Sequence, residues 1–225
     1  MRGQQLLEEL GRRGLFWRHS GDMKRPHAIL STGKHATGFV NIREALTDPI
    51  FREGLAFELI CELDNHMDYR DVTLVVGSGH ASDLLIADVG RLLSIRYGRV
   101  VRSAFTDKVK QNGDEMEFKF DLKPDDVAVL FEDMETSGHT TAASMAALRA
   151  RDPNVNILQG VGCVFTWNDQ PEHLQGMDLI FLAESRMETF DVPKGEKCPL
   201  CEAGSEALKP KSKVPQDNWK RLTEG

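Results

Sequence analysis

Val127–Thr141 reads VAVLFEDMETSGHTT: an apolar run, Val127–Phe131, two acids, Glu132 and Asp133, and a small hydroxylated turn, Thr136-Ser137-Gly138-His139-Thr140. An Ala-rich helical stretch follows to Arg151. The run has the length and composition of a buried strand, and the turn joins it directly to a helix. Gly138 is free to take a positive φ, which aims successive amides at one point. The unpaired N–H groups and dipole of the helix start then favour an anion, and the Thr and Ser hydroxyls add donors. A phosphate monoester suits that cradle. Glu132 and Asp133 would repel it, so they need another target. Ribose hydroxyls are good donors to them, and their charge would stabilise an oxocarbenium-like ribosyl transition state. The plainer reading stays beside this one: a strand end with ordinary capping residues.

Working outward, the same grammar recurs. Val72–Val76 (VTLVV) is followed by Gly77-Ser78-Gly79-His80 and an apolar-periodic helix, Ala81–Leu93. A strand near Arg99–Ala104 leads into the polar stretch Thr106–Glu117, and strands near Val155–Phe165 and Met177–Leu182 complete the set. Short apolar strands alternating with helices specify an α/β fold with a parallel sheet covered on both faces. Ligands in such sheets sit at the carboxyl ends of the strands, where both Gly-containing loops emerge. Upstream, Leu6, Leu7, Leu10 and Leu15 suit an amphipathic helix near 3–14, and an extended segment around Ala28–Ile42 is broken by Gly33 and Gly38. Asp48-Pro49 opens a helix to about Leu63, with Asp48 as its cap. The Lys/Pro-rich tail, Asp191–Gly225, is only weakly periodic and is expected to be an irregular cap.

Composition sets limits. The 225 residues fit one globular domain, and 40% hydrophobic content supports a core. A net charge of −7 argues against a non-specific nucleic-acid binder. No apolar stretch is long enough for a membrane span and the N-terminus lacks a secretory core, so a cytoplasmic protein without a disulfide framework is expected. Cys198-x-x-Cys201 has the spacing of half a zinc knuckle. Structural zinc usually takes four ligands, so a plain loop is expected and no metal is assigned to the protein. His19, His27, His66 and His173 have no ligand spacing and receive no role, and Cys61 and Cys163 read as core residues.

The order and spacing of VLFEDMETSGHTT resemble the phosphoribosyl-pyrophosphate (PRPP) motif of the type I phosphoribosyltransferases. The resemblance implies that family's α/β core with a small hood of N- and C-terminal segments: one domain over 1–225, its core about 48–183 and its hood about 1–47 and 184–225. It implies Glu132 and Asp133 at the ribose hydroxyls and Thr136, Ser137, Gly138, His139 and Thr140 around the 5-phosphate. Glu135 stands where the family has an apolar residue and is expected to face solvent or the pyrophosphate side. The similarity is nearest to the orotate phosphoribosyltransferase branch of pyrimidine biosynthesis. Ile29-Leu30-Ser31-Thr32-Gly33-Lys34-His35 resembles its N-terminal segment, and Cys198-Pro199-Leu200-Cys201-Glu202-Ala203-Gly204 with Lys209-Pro210 resembles a C-terminal signature of one subset.

From that branch come the remaining expectations. Ser78, Gly79 and His80 would meet pyrophosphate, although Ala81-Ser82-Asp83 replaces a further glycine pair, and a tight strand-to-helix turn is the alternative. Thr106–Glu117 would be a mobile lid whose Lys108 or Lys110 neutralises the departing pyrophosphate, unless Asn112-Gly113 marks a hairpin turn. Arg102 is a further candidate phosphate ligand. Mg²⁺ would enter mainly through PRPP, and a homodimer would share the site. Orotate carries a carboxylate and calls for a cation. The branch's basic positions fall near Ser31 and Thr166-Trp167, neither of them basic here. Lys34 and His35 lie close enough to compensate, and Phe39 and Trp167 offer flat walls for a base. Orotate is the first expected acceptor. The alternatives are another base, or a PRPP-binding regulatory protein without turnover.

Overall fold

The computed structural model describes residues 1–30, 32–78, 82–109, 115–167, 170–193, 195–210 and 217–224. Helix α1 (Gly3–Arg12) leads into β1 (Phe16–Arg18), β2 (His27–Ile29), β3 (His35–Ala36) and β4 (Gly38–Val40). Helices α2 (Ile42–Ala45) and α3 (Pro49–His66) follow. Next come β5 (Leu74–Ser78), α4 (Asp83–Tyr97), β6 (Arg102–Lys108), β7 (Met116–Phe118), β8 (Val127–Glu135) and α5 (His139–Arg151). The chain closes with β9 (Asn156–Thr166), a 3-10 turn (Glu172–Leu174), β10 (Asp178–Glu184), β11 (Thr189–Phe190), α6 (Pro199–Glu202), β12 (Ala207–Leu208) and α7 (Asn218–Glu224). These elements fall into two compact units, one of Met1–Leu6 with Ile42–Ser185, the other of Leu7–Asn41 with Arg186–Gly225.

The larger unit holds a six-stranded sheet in the order β10-β9-β8-β5-β6-β7. All neighbours are parallel except β6 and β7, which form an antiparallel hairpin with Thr106 opposite Phe118 and Lys108 opposite Met116. Continuous apolar strands make this possible: β5 is buried throughout, so both of its faces must be covered. Leu74, Val76, Ala128, Leu130 and Val161 pack with Met145 and Leu148 of α5 in one cluster. Asp48 caps α3 by accepting from the Ile50 and Phe51 N–H groups, and Pro49 occupies the first helical position. The connection after β5 runs out to β6 and β7, then returns to β8 on the other flank of β5. The sheet therefore switches direction between β5 and β8, the place where open α/β sheets bind ligands.

In the smaller unit β1 pairs with β4, and a four-stranded sheet runs β11-β3-β2-β12. The tail expected to be an irregular cap supplies three of these elements: β12 lies parallel to β2, α6 precedes it, and α7 follows. Trp17, Ala28, Ala36, Leu208 and Leu222 form a buried cluster there, with Leu30, Phe39, Met187 and Trp219 packed against them. The Trp219 indole N–H donates to the Gly14 carbonyl at 2.6 Å. Among the described residues no helix is long and apolar enough to cross a membrane.

Candidate active site

A cleft of about 840 Å³ opens at the carboxyl ends of β5, β6 and β8 in the larger unit. Its walls include Ser78, Lys108, Glu132, Asp133 and the whole turn Thr136–Thr140. The register explains the gathering: Gly77 lies opposite Phe131 and Ser78 opposite Thr106, so the three strand ends finish side by side.

The phosphate turn has the geometry its residues suggest. Gly138 takes φ +77° and ψ 3°, and no side chain caps α5, in contrast to the Asp48 cap of α3. The His139 N–H reaches Ser137 Oγ at a long 3.4 Å, and the amides of this first turn are the donors that an anion takes at a helix start. The turn is held from behind. His173 N–H donates to the Ser137 carbonyl at 3.0 Å, and the His139 and His173 rings meet edge to face at 5.1 Å. A Cβ on Gly138 would lie 2.4 Å from Leu174 Cγ and 3.1 Å from Pro171 Cβ, so glycine is required for space as well as for φ.

The acids divide. Glu132 is 5% exposed and accepts the Ser78 N–H at 3.0 Å. Burial first, then Glu135 and Asp133, push its carboxyl well above the usual carboxylate range. Asp133, next along the strand, is only half-buried. Of the two placements expected for Glu135, solvent is excluded, and the side chain lines the cleft instead. It is 4% exposed, accepts from the Thr141 hydroxyl, and burial pushes it up to about 7. Glu135 is opposite Thr166, inside the β8–β9 ladder, and the Thr141 hydroxyl is what makes a carboxyl tolerable there.

Ser78 places a hydroxyl in the cleft that has no hydrogen-bond partner among the described residues although it is buried. An orphaned hydroxyl in a polar cleft is a donor waiting for a ligand oxygen. Two cations line the same cleft without an ion pair among the described residues: Lys108 and Arg43, the latter on α2. Lys119, also in the wall, is occupied by Asp107 at 3.1 Å. Sequence reasoning missed Arg43. Its only signal was a cation directly after the extended segment.

Other expected residues lie elsewhere. Arg102 begins β6 opposite Leu74, at the amino end of the sheet, where it pairs with Asp126 and donates to the Asp121 carbonyl at 3.0 Å. It is the first of the seven residues of β6, about 20 Å of rise from the cleft end, so the phosphate role expected for it is withdrawn. Lys108 is the last residue of β6, paired with Met116, and Thr106 is fully buried and bonded to Ser144 at 2.7 Å. The stretch expected to be a lid therefore begins as strand, because Thr106 and Met116 bury side chains. Trp167 is 9% exposed, meets Phe165 edge to face at 4.7 Å and does not line the cleft. Lys34 and Phe39 belong to the smaller unit, where Lys34 pairs with Asp191 at 3.2 Å and Phe39 packs on Trp219 at 5.5 Å. Ser31, Gly79, His80 and Lys110 fall outside the described residues.

No protein-family profile matches the chain. Curated relatives do, two of which illustrate the likeness. It is 28% identical over 195 residues to the orotate phosphoribosyltransferase of Desulforamulus reducens, covering 86% of this chain and 92% of that one. It is 27% identical over 199 residues to that of Heliobacterium modesticaldum, covering 88% and 96%. Among solved structures, orotate phosphoribosyltransferase from Aeropyrum pernix superposes with a TM-score of 0.55 at 19% identity, over 80% of this chain and 93% of that one. The fold is that of the type I phosphoribosyltransferases. In sequence the chain resembles their orotate branch along most of its length. The phosphoribosyltransferase fold thus gathers in one cleft the start of α5, a half-buried aspartate and, without a partner among the described residues, the Ser78 hydroxyl, with Lys108 and Arg43 beside them.

Proposed function

We propose that the protein is a phosphoribosyltransferase that transfers ribose 5-phosphate from PRPP to a nucleobase nitrogen and releases pyrophosphate, with orotate the first acceptor to test. The observation that carries this reading is the single cleft holding Asp133, the uncapped start of α5 and the orphaned Ser78 hydroxyl together. The amides and hydroxyls of Thr136–Thr140 hold the 5-phosphate. Asp133 accepts from the ribose hydroxyls, and its charge favours the positive character that develops at the anomeric carbon as the bond to pyrophosphate breaks. Glu132 is the inner partner, and by accepting the Ser78 N–H it holds the backbone that carries the Ser78 hydroxyl at the cleft. Lys108 and Arg43 offset charge on the leaving group.

The residues fit a divalent ion brought in with PRPP. Glu135 and Asp133 raise the proton affinity of Glu132, and Asp133 raises that of Glu135, an excess of negative charge that a cation relieves. Asp107, Glu117 and Asp133 are the cleft acids that are not buried, and they would face a hydrated Mg²⁺. When bound, Mg²⁺ would neutralise charge on the pyrophosphate oxygens. The resemblance also supports a homodimer as the working form.

A second reading, a different base as acceptor, is favoured by Trp167, which is buried where the orotate branch carries a cation, and by Lys34, whose ammonium is paired with Asp191. Titrating PRPP with Mg²⁺ in a calorimeter and then following pyrophosphate release with orotate tests the proposal. Saturable binding with orotate-dependent release is expected. Binding without release in the presence of any base would mean a PRPP-binding regulator instead.

A further inference from the structure

In the smaller unit, four side chains that are far apart in sequence converge. His27 on β2, His35 on β3, and Cys198 and Cys201 at either end of the first turn of α6 bring their ligand atoms within 4.8 Å of one another. His27 Nε2 lies 3.5 Å from both sulfurs, and His35 Nδ1 lies 3.5 Å from Cys201 Sγ. We propose that these four residues form a tetrahedral Cys₂His₂ zinc site that ties the β2–β3 hairpin to the C-terminal segment.

Distances support this. With Zn–S about 2.3 Å and Zn–N about 2.0–2.1 Å, a tetrahedron separates nitrogen from sulfur by about 3.6 Å and nitrogen from nitrogen by about 3.3 Å. The three nitrogen–sulfur distances match the first figure. The two imidazoles stand at 2.9 Å, a hydrogen-bond length, and would part by a few tenths of an ångström to admit the ion.

The surroundings are those of a built site. The Ser205 hydroxyl donates to the Arg25 carbonyl at 2.6 Å, so it accepts from His27 Nδ1–H at 2.8 Å. That fixes the tautomer whose Nε2 lone pair faces the sulfurs, the outer-shell arrangement typical of ligating histidines. The Cys201 N–H donates to Cys198 Sγ at 3.4 Å, which fixes the direction of that side chain. The backbone fits as well: the His27 N–H donates to the Glu206 carbonyl at 2.8 Å, and β12 continues that pairing beside β2. Soft sulfur with imidazole in tetrahedral array selects zinc over oxygen-preferring ions. A small unit whose apolar cluster centres on Trp17, Ala28, Ala36, Leu208 and Leu222 gains from such a clip.

The test is metal content of the full chain, expressed with zinc and dialysed against metal-free buffer. One zinc per chain is expected, with the Cys198 and Cys201 thiols reacting with a thiol reagent at least tenfold more slowly before a chelator is added than after it. Apo-protein titrated with Co²⁺ should develop the intense visible bands of a tetrahedral thiolate site. Cys201→Ser and His27→Ala should each reduce bound zinc at least tenfold. Should these variants fail to fold, the Co²⁺ titration of the native chain decides alone. A native chain that retains no zinc and gives no tetrahedral cobalt spectrum overturns the proposal, as does undiminished zinc in Cys201→Ser, or a Cys198–Cys201 disulfide that forms in the presence of zinc. PRPP turnover is not read in any arm, so failure here leaves the transferase reading untouched.

Discussion

Asp133 and Glu132 are adjacent on β8 yet live in different surroundings, and their substitutions should separate. Glu132 is bonded to the Ser78 amide and buried, whereas Asp133 is half-buried in the cleft wall. Asp133→Asn should lower kcat on the order of a hundredfold or more, with an unchanged thermal midpoint; a rate within a few-fold of the native one would remove Asp133 from the chemistry. Glu135 makes a stability prediction. Its carboxyl is raised from 4.5 to about 7, so the folded state holds the proton more tightly than the unfolded chain. The stabilisation is complete below about pH 4.5 and is lost as pH rises through about 7, amounting to roughly 3 kcal/mol. Glu135→Gln keeps the neutral form at every pH. In urea denaturation, the variant should therefore gain stability over the native protein between pH 5 and 8, and parallel pH profiles would contradict the assignment. Neither property was legible beforehand, since the alternation of a strand end leaves Glu135 free to face either way until Thr141 is seen to meet it.

At the scale of the element, the strand–turn–helix of β8 and α5 was readable almost to the residue. The apolar run, the acid pair and Gly138 each constrain the backbone locally, and local constraint is what a sequence displays. The β6–β7 hairpin was less readable, because polarity at Asp107, Lys108 and Glu117 hides the alternate burial of Thr106, Met116 and Phe118. Arg102 shows the same limit from the other side: a cation close to a loop in sequence can stand at the far end of a strand. The turn itself gives a sharp test. Gly138→Ala puts a methyl group against Leu174 and Pro171 at a φ of +77°. It should destabilise the protein by about 1–3 kcal/mol and weaken PRPP binding at least tenfold by calorimetry. Native-like affinity would mean that the turn does not hold the phosphate.

For the whole molecule, the alternation of apolar strands and helices was sufficient to specify a parallel sheet, and the sheet's switch between β5 and β8 locates the cleft. Sequence order was insufficient where distant segments meet. His27 and His35 had no ligand spacing because their partners, Cys198 and Cys201, lie at the other end of the chain and come near only when β12 pairs with β2. The acceptor is open for a related reason: Trp167 and Lys34 are committed to Phe165 and Asp191, so the residues expected to read the base do not declare one. The central claim is ribosyl transfer from PRPP. Its most direct measurement is incubation of the full-length protein with PRPP, Mg²⁺ and a panel of bases, with the nucleotide product read by mass. Formation of one nucleoside monophosphate, with orotate the first base tested, in step with pyrophosphate release is the predicted result. The absence of any nucleotide across the panel, from protein that binds PRPP, would contradict it.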